Sequence, residues 1–422
     1  MTPSNRSWLP PYCNPGAFLP AVQECVILFS ERPYLFQDFV ARAMRFLESD
    51  MVRKIGFTYD RKGALPCKWK CSDESLFGVD LCLYAFTGQY PFDKGRIGGI
   101  YNEESLGAAV HHAPINLDFG GSHVGYLPGE GGGSFGNIRR PLHETEQSTD
   151  CGHLMATMAP FKQIYDDARE NILLFSAEES GEVYVSIPNE YLQPAWSSHR
   201  IKLLIDIERL ASGVVGYDIK KPFTHKVAGR TLFKVSEEFL AQVPPETSTT
   251  FRTKKQTPIG IELTADYFNI FDSQAELGGD GAPLNRLLPY MKIILSSKIA
   301  PYQLKGAVTN TNIEYNKLTD SVRTETFRSF GFASFTGIFI DLFDEDLGNY
   351  VNLFQPIGIS IKPQGRVREI EISPAEVHRI FDSLEPARPL IPLEGVLAYS
   401  RPERALEKFT YRPGVFQRKW KS

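Results

Sequence analysis

The sequence predicts an α/β fold in its first part, followed by a second region of strands with helices between them. Three observations carry that expectation. Apolar residues recur at helical spacing from Pro33 to about Arg53, and a second apolar stretch from Leu76 to Phe86 has the length of a buried helix. Glycine-marked turns then bound short apolar runs of strand length, so strands alternate with helices. Beyond about residue 180 the texture changes to runs rich in branched apolar residues, which read as β-strands.

Taken in order, residues 1 to 30 open as proline-rich coil and continue into an apolar packed segment from Phe18 to Phe29. In the first helix Leu35, Phe36, Phe39, Val40, Ala43, Met44, Phe46 and Leu47 form the dry face, with Arg42, Arg45 and Glu48 on the wet side. A linker from Tyr59 to Pro66 follows. The second helix carries Leu76, Phe77, Val79, Leu81, Leu83, Tyr84 and Phe86 and closes at Thr87-Gly88. Turns at Gly120-Gly121 and at Gly129 to Gly133 flank a short strand that carries His123. Met155, Met158, Phe161, Ile164, Ala168 and Ile172 mark a helix over 154–176, with Pro160 as the place for a break or kink. Strands are expected at Val183–Ile187, Ile259–Leu263, Met291–Leu295, Gly337–Leu342 and Ile357–Lys362, and helices at Ser198–Ala211 and Ser373–Leu384. The last helix has a strong start signal in Ser373-Pro-Ala-Glu376, with serine as cap and proline at the first helical position. From Glu385 the chain is rich in prolines and charges and is expected to wrap the surface. A boundary near residue 180 divides a domain of residues 1–180 from an unassigned α+β region of residues 181–422.

Composition narrows the function. Of 422 residues, 42% are hydrophobic and 23% charged, the balance of a globular protein. Lys+Arg 46 against Asp+Glu 50 gives a net charge of −4, so no broad basic field draws the chain to nucleic acid or an anionic membrane. No apolar run approaches the roughly 18 residues of a membrane span. The opening Met-Thr-Pro-Ser-Asn-Arg lacks the pattern of a secretory signal, and a cytoplasmic location is expected. The six cysteines (Cys13, Cys25, Cys67, Cys71, Cys82 and Cys151) are too few for a disulfide scaffold. All lie in the first 151 residues, which is where thiol chemistry would belong.

Three residues there have the chemistry of a metal centre. Cys71, His123 and Cys151 are ligand types that a catalytic zinc site uses, with a fourth position left for water. Zinc so held lowers the pKa of bound water towards neutrality. Asp73, two residues from Cys71, can face the same cavity and orient the water or take its proton. Residue types alone leave a second reading open, in which two buried free thiols and a hydrogen-bonded core histidine give the same pattern. Cys67 and Cys71 form a Cys-x3-Cys with no second pair to complete a structural zinc site. His111 and His112 are adjacent and point apart, and His153, two past Cys151, is a candidate supporting partner, but each of the three reads first as an ordinary packed or exposed histidine. Gly129 to Gly136 lacks the Gly-Lys-Ser/Thr ending of a phosphate loop and reads as a flexible turn. Its Ser134 has the Gly-x-Ser-x-Gly letters of a hydrolase but glycines where a strand should precede.

Six segments taken together add a resemblance. Cys71-Ser-Asp73-Glu, Gly98-Gly-Ile, Ala109-Val-His111-His112, Gly121-Ser-His123-Val-Gly125, Asn137-Ile-Arg139-Arg140 and Asp150-Cys151-Gly152 occur in an order that resembles the limiting-CO2-inducible B/C family, divergent relatives of the β-carbonic anhydrases. The matching part spans roughly residues 65–155. The resemblance implies a β-carbonic-anhydrase-like sheet flanked by helices, zinc on Cys71, His123 and Cys151, Asp73 as the acid of an Asp-Arg dyad, and a homodimer. One position departs from the pattern: Ser75 stands where an arginine would complete the dyad, leaving Arg96, Arg139 and Arg140 as substitutes. The implied activity is that of a zinc-dependent lyase hydrating CO2 to bicarbonate. Two alternatives keep the same metal. One is an enzyme acting on another small electrophile such as carbonyl sulfide, or on a larger substrate; the other is a non-catalytic, zinc-stabilised regulator.

Overall fold

The structure, a computed structural model, describes residues 32–129, 133–140, 147–176, 180–192, 200–215, 229–243, 259–272, 286–296, 300–345, 348–367 and 369–392. The expectations for residues 1 to 30, Cys13, Cys25, most of the Gly129–Gly133 turn and the tail beyond residue 392 lie outside these. The chain divides into two units, residues 1–155 with 298–422, and residues 156–297. The expected boundary at residue 180 is therefore corrected. Its physical reason is that two late strands form the middle of the sheet begun by the early ones.

In the first unit the main elements are α1 (Phe36–Leu47), β1 (Leu65–Trp69), α2 (Phe77–Thr87), α3 (Glu104–His112), β2 (Ile115–Gly120), β3 (His123–Leu127), the start of α4 (Gly152–Asn171), α5 (Tyr302–Val322), β4 (Gly331–Asp344), β5 (Asn349–Lys362) and α6 (Pro374–Asp382). They build a mixed sheet flanked by helices, an α/β fold. β1, β2 and β4 are parallel neighbours, and β5 closes antiparallel on β4. β4 is the spine. Its first half pairs with β2, Gly331 opposite Ile115 through Thr336 opposite Gly120. Its second half pairs with β3, Phe339 opposite His123 and Asp341 opposite Gly125. Buried along nearly its whole length, it shows the near-continuous apolar run of a strand covered on both faces. The break between β2 and β3 is made at Gly121, φ +152°, where a Cβ would lie 1.7 Å from the carbonyl oxygen of Gly337. Only glycine fits that crossing.

One face of the sheet meets α1 through aromatic rings. Phe39 packs on Phe354 with centroids 4.5 Å apart, Phe36 on Phe339 at 5.3 Å, and Phe119 on Phe335 at 4.8 Å. Truncating one such buried ring to alanine removes about 3–5 kcal/mol, so this cluster holds the early helix to the late strands. α2 ends as expected, with Gly88 in the left-handed region at φ +73°. α6 starts at Ser373 and Pro374, although the serine side chain makes no capping bond.

The second unit, by itself, holds a five-stranded antiparallel sheet ordered Ala211–Val214, Arg230–Val235, Val183–Pro188, Leu173–Ser176 and Ile259–Gly260. Several expectations are corrected here. The helix expected at Ser198–Ala211 is strand at Ile201–Ile205, paired with Phe268–Asp272, then one helical turn at Ile207–Leu210. Branched residues in Ile201-Lys-Leu-Leu-Ile205 suit the ladder. Met291–Ser296 is helical rather than strand, a short apolar run that periodicity alone does not resolve. Helix 154–176 stops at Asn171 with Pro160 inside it, and the strand expected at Ile259–Leu263 covers Ile259–Gly260.

The unit assignment has a direct test. A chain truncated after residue 180 lacks β4 and β5 and leaves β2 without its partner. It should show no cooperative thermal transition by circular dichroism, whereas the full chain should melt cooperatively. A fragment of residues 1–180 that melts cooperatively as a monodisperse species contradicts the assignment.

Candidate metal centre

The site forms where the chain leaves the parallel strands β1 and β2. Cys71 follows the end of β1, and Asp73 caps a short 3-10 turn, Glu74–Leu76, its carboxylate accepting from the Ser75 amide at 3.0 Å. That turn runs directly into α2. His123 opens β3 just after the glycine crossing. Cys151 precedes α4 at φ +46°, the one non-glycine residue with positive φ among the described residues. Such a conformation costs on the order of 1–3 kcal/mol and persists only where the surroundings over-determine it. Here it accompanies a gathering of ligands. The ligand atoms of Cys71, His123 and Cys151 all lie within 4.8 Å of one another, and the three residues are 4%, 0% and 1% exposed.

These residues fit a metal ion. Nδ1 of His123 is 2.8 Å from Oδ2 of Asp341 and 3.2 Å from Oδ2 of Asp150. Nε2 is buried and has no hydrogen-bond partner among the described residues, so it is the nitrogen left for a ligand bond. Two ligands each about 2.3 Å from a tetrahedral centre stand about 3.7 Å apart, a spread compatible with the gathering seen here. The amide of Gly98, whose φ of +84° suits glycine, donates to Sγ of Cys71 at 3.1 Å. Gly125 makes room on the other side, since a Cβ there would lie 2.7 Å from Cβ of Asp150.

The gathered side chains shift one another's protonation. The neighbouring Cys151 is the main influence holding the Cys71 thiol well below the usual range, against burial and with help from His123 and the Gly98 amide. Cys151 is pushed well up by Cys71 and by its own burial. Burial opposes charge on His123, but Asp150, Cys151 and Asp341 overcome it and raise its pKa well above the ordinary value. Burial raises the carboxyl of Asp150 to about 6, against the pull of His123.

The arginine absent at Ser75 is supplied by Arg140. Its guanidinium grips Asp73 as a two-pronged fork, NH1 to Oδ1 at 3.1 Å and NH2 to Oδ2 at 2.9 Å. It also bonds Glu74, donates through Nε to Oγ of Ser148 at 2.7 Å, and lies 3.7 Å from Asp150. Burial works against ionising Asp73, yet Arg140 and the Ser75 amide hold it well below the usual carboxylate range. The other candidates are occupied elsewhere: Arg139 pairs with Glu345, and Arg96 bonds Asn102 at 2.8 Å. Ser75 itself donates to Oδ2 of Asp341 at 2.6 Å.

The remaining sequence candidates stand apart from the ligand trio. Cys67 lies within β1, bonded to Asn116, and burial raises its thiol to about 12. His111 and His112 are exposed at the end of α3. His153 sits in the first turn of α4, close to Gly98. Ser134 is exposed in a two-residue strand, Ser134–Phe135, and is followed by another strand, Asn137–Arg139. Sequence reasoning missed Asp150 and Asp341. Asp341 did leave a signal: a lone carboxylate in the apolar run Gly337-Ile-Phe-Ile-Asp-Leu342 has to find buried partners.

No protein-family model and no curated protein matches the sequence. Among solved structures the chain is similar to PtLCIB4, a homolog of the limiting CO2-inducible protein LCIB, with TM-score 0.43 and 13% identity over 84% of this chain and 98% of that one. It is also similar to LCIB itself, with TM-score 0.39 and 13% identity over 83% of this chain and 98% of that one. Among the described residues no helix is long and apolar enough to cross a membrane.

A metal binding here must displace the protons held by Cys151 and His123, both of which bind them more tightly than usual. Affinity for a divalent ion such as zinc should therefore rise with pH, by about tenfold per unit for each proton released, between pH 6 and 8. Competition with a chelator at several pH values reads this directly. An affinity independent of pH contradicts the ligand assignment.

Proposed function

We propose that the chain is a zinc-dependent, carbonic-anhydrase-like lyase that converts CO2 and water to bicarbonate and a proton, and that it belongs with the limiting-CO2-inducible B/C family. The observation that carries this reading is the two-pronged Asp73–Arg140 pair beside a buried Cys-His-Cys donor set. The sequence leaves Arg96, Arg139 and Arg140 open as partners of Asp73, and the two bonds from Arg140 support it as the arginine of the dyad. Cys71, His123 and Cys151 would hold the zinc, which supplies a Lewis acid that lowers the pKa of water towards neutrality.

The chain's own residues account for the rest. Asp73 stays ionised at neutral pH because Arg140 and the Ser75 amide favour its charged form. An ionised carboxylate only accepts hydrogen bonds. Asp73 therefore orients a water by accepting one of its hydrogens and leaves an oxygen lone pair free to meet the carbon of CO2. Arg140, anchored by Glu74 and Ser148 as well, keeps the Asp73 carboxylate in one orientation. The bulk of both side chains is covered, at 13% and 15% exposure, so these interactions act in a medium less screened than water.

Stopped-flow CO2 hydration tests the reading. Zinc-loaded protein, with one zinc per chain by elemental analysis, should exceed the buffer rate. Asp73→Ala and Arg140→Ala should each lower that rate by about 10²–10⁴-fold while zinc content stays unchanged. Protein with zinc bound that is no faster than buffer overturns the proposed reaction and leaves the metal assignment standing.

A further inference from the structure

We infer that Asp341 is a positioning residue for His123, held in that role by Ser75 and Asn352, so that the long strand β4 is a working part of the metal centre. The inference rests on the zinc reading above. Three donors converge on this one carboxylate. Nδ1 of His123 and Oγ of Ser75 reach Oδ2 at 2.8 and 2.6 Å, and Nδ2 of Asn352 reaches Oδ1 at 2.8 Å. Asp341 is fully buried, and Ser75 and Asn352 are 1% and 5% exposed. An ionised carboxylate has no hydrogen to give, so the ring nitrogen that faces it must carry one. The lone pair of the neutral ring is then forced onto Nε2, the atom without a hydrogen-bond partner among the described residues. A carboxylate behind a ligating imidazole also strengthens the imidazole as a donor.

The register makes this placement firm. His123 stands opposite Phe339 and Gly125 opposite Asp341 in the parallel ladder of β3 and β4. Nδ2 of Asn352, from the neighbouring β5, also donates to the carbonyl of Ser75 at 2.9 Å. The same network therefore fixes the histidine tautomer and the turn that presents Asp73. Ser75 gains a purpose here. At the position where the resemblance expects an arginine, it offers a hydroxyl to Asp341, and the arginine function has moved to Arg140.

Zinc affinity by chelator competition, measured on the full chain, tests the assignment together with the 15N shifts of His123 in the zinc-loaded protein. Asp341→Asn puts an amide NH2 against either Asn352 or His123, both donors in the native arrangement. It should weaken zinc binding by about 10–100-fold and shift the ring nitrogens from the Nδ1–H pattern. Ser75→Ala keeps the carboxylate and removes one donor, and should weaken binding by about fivefold. If Asp341→Asn does not fold, Ser75→Ala decides. Native zinc binding with unchanged affinity and unchanged 15N shifts in the folded variants overturns this inference alone. Lower thermal stability of the zinc-free variants without any change in affinity or tautomer does the same. Failure of the native chain to bind zinc overturns the zinc reading on which the inference rests.

Discussion

A fully buried imidazole with carboxylates on its Nδ1 side and two thiols within ligand reach is the interaction from which the rest of the structure takes its sense. Interiors do not gather ionisable groups without compensation, because each charge removed from water costs several kcal/mol. Here Cys71 and Asp73 are held towards their charged forms, as are His123 and Arg140, and the carboxylate of Asp341 takes three hydrogen bonds. A divalent cation held by Cys71, His123 and Cys151 would take the place of the Cys151 thiol proton and the proton on Nε2, so that one ion bound to all three side chains would stand in for two protons. The strained backbone of Cys151 and the unpartnered Nε2 both make sense in its presence.

The sheet makes such a gathering possible. Cys71 and His123 lie just past the carboxyl ends of two adjacent parallel strands, the place where open α/β sheets bind ligands. β4 pairs with β2 and then β3, so one buried strand sets the position of His123 and delivers Asp341 behind it. The aromatic cluster of α1 against β4 and β5 ties the first helix to the strands that complete the sheet. Cys71, His123 and Cys151 from the early chain and Asp341 from the late chain thus depend on one packing unit.

Much of this was legible in the sequence. The apolar spacing of α1, the run of α2 closed by Gly88 and the Ser373-Pro start of α6 are local signals, and each formed where expected. Cys71, His123 and Cys151 were singled out by residue type and by the order of the motifs around them, and the fold brings them together. Pairing across the chain was not legible. Gly337–Leu342 was readable as a strand, but nothing in its own pattern says that it lies between β2 and β5 rather than in a separate domain. Arg140 could be named among three arginines and not chosen, since its approach to Asp73 depends on the tertiary path of Asn137–Arg139. Asp341 was passed over because a buried acid looks the same in sequence whether it serves a histidine or a lysine. Ile201–Ile205 and Met291–Ser296 were misassigned because short apolar runs fit either period.

The central claim is that one metal is held by two sulfurs and one imidazole. X-ray absorption at the zinc edge of the loaded protein tests it most directly. The account predicts two sulfur scatterers at about 2.3 Å and a histidine nitrogen at about 2.0 Å, with a light atom completing four-coordination. A shell of oxygen and nitrogen alone, with no sulfur, would contradict it.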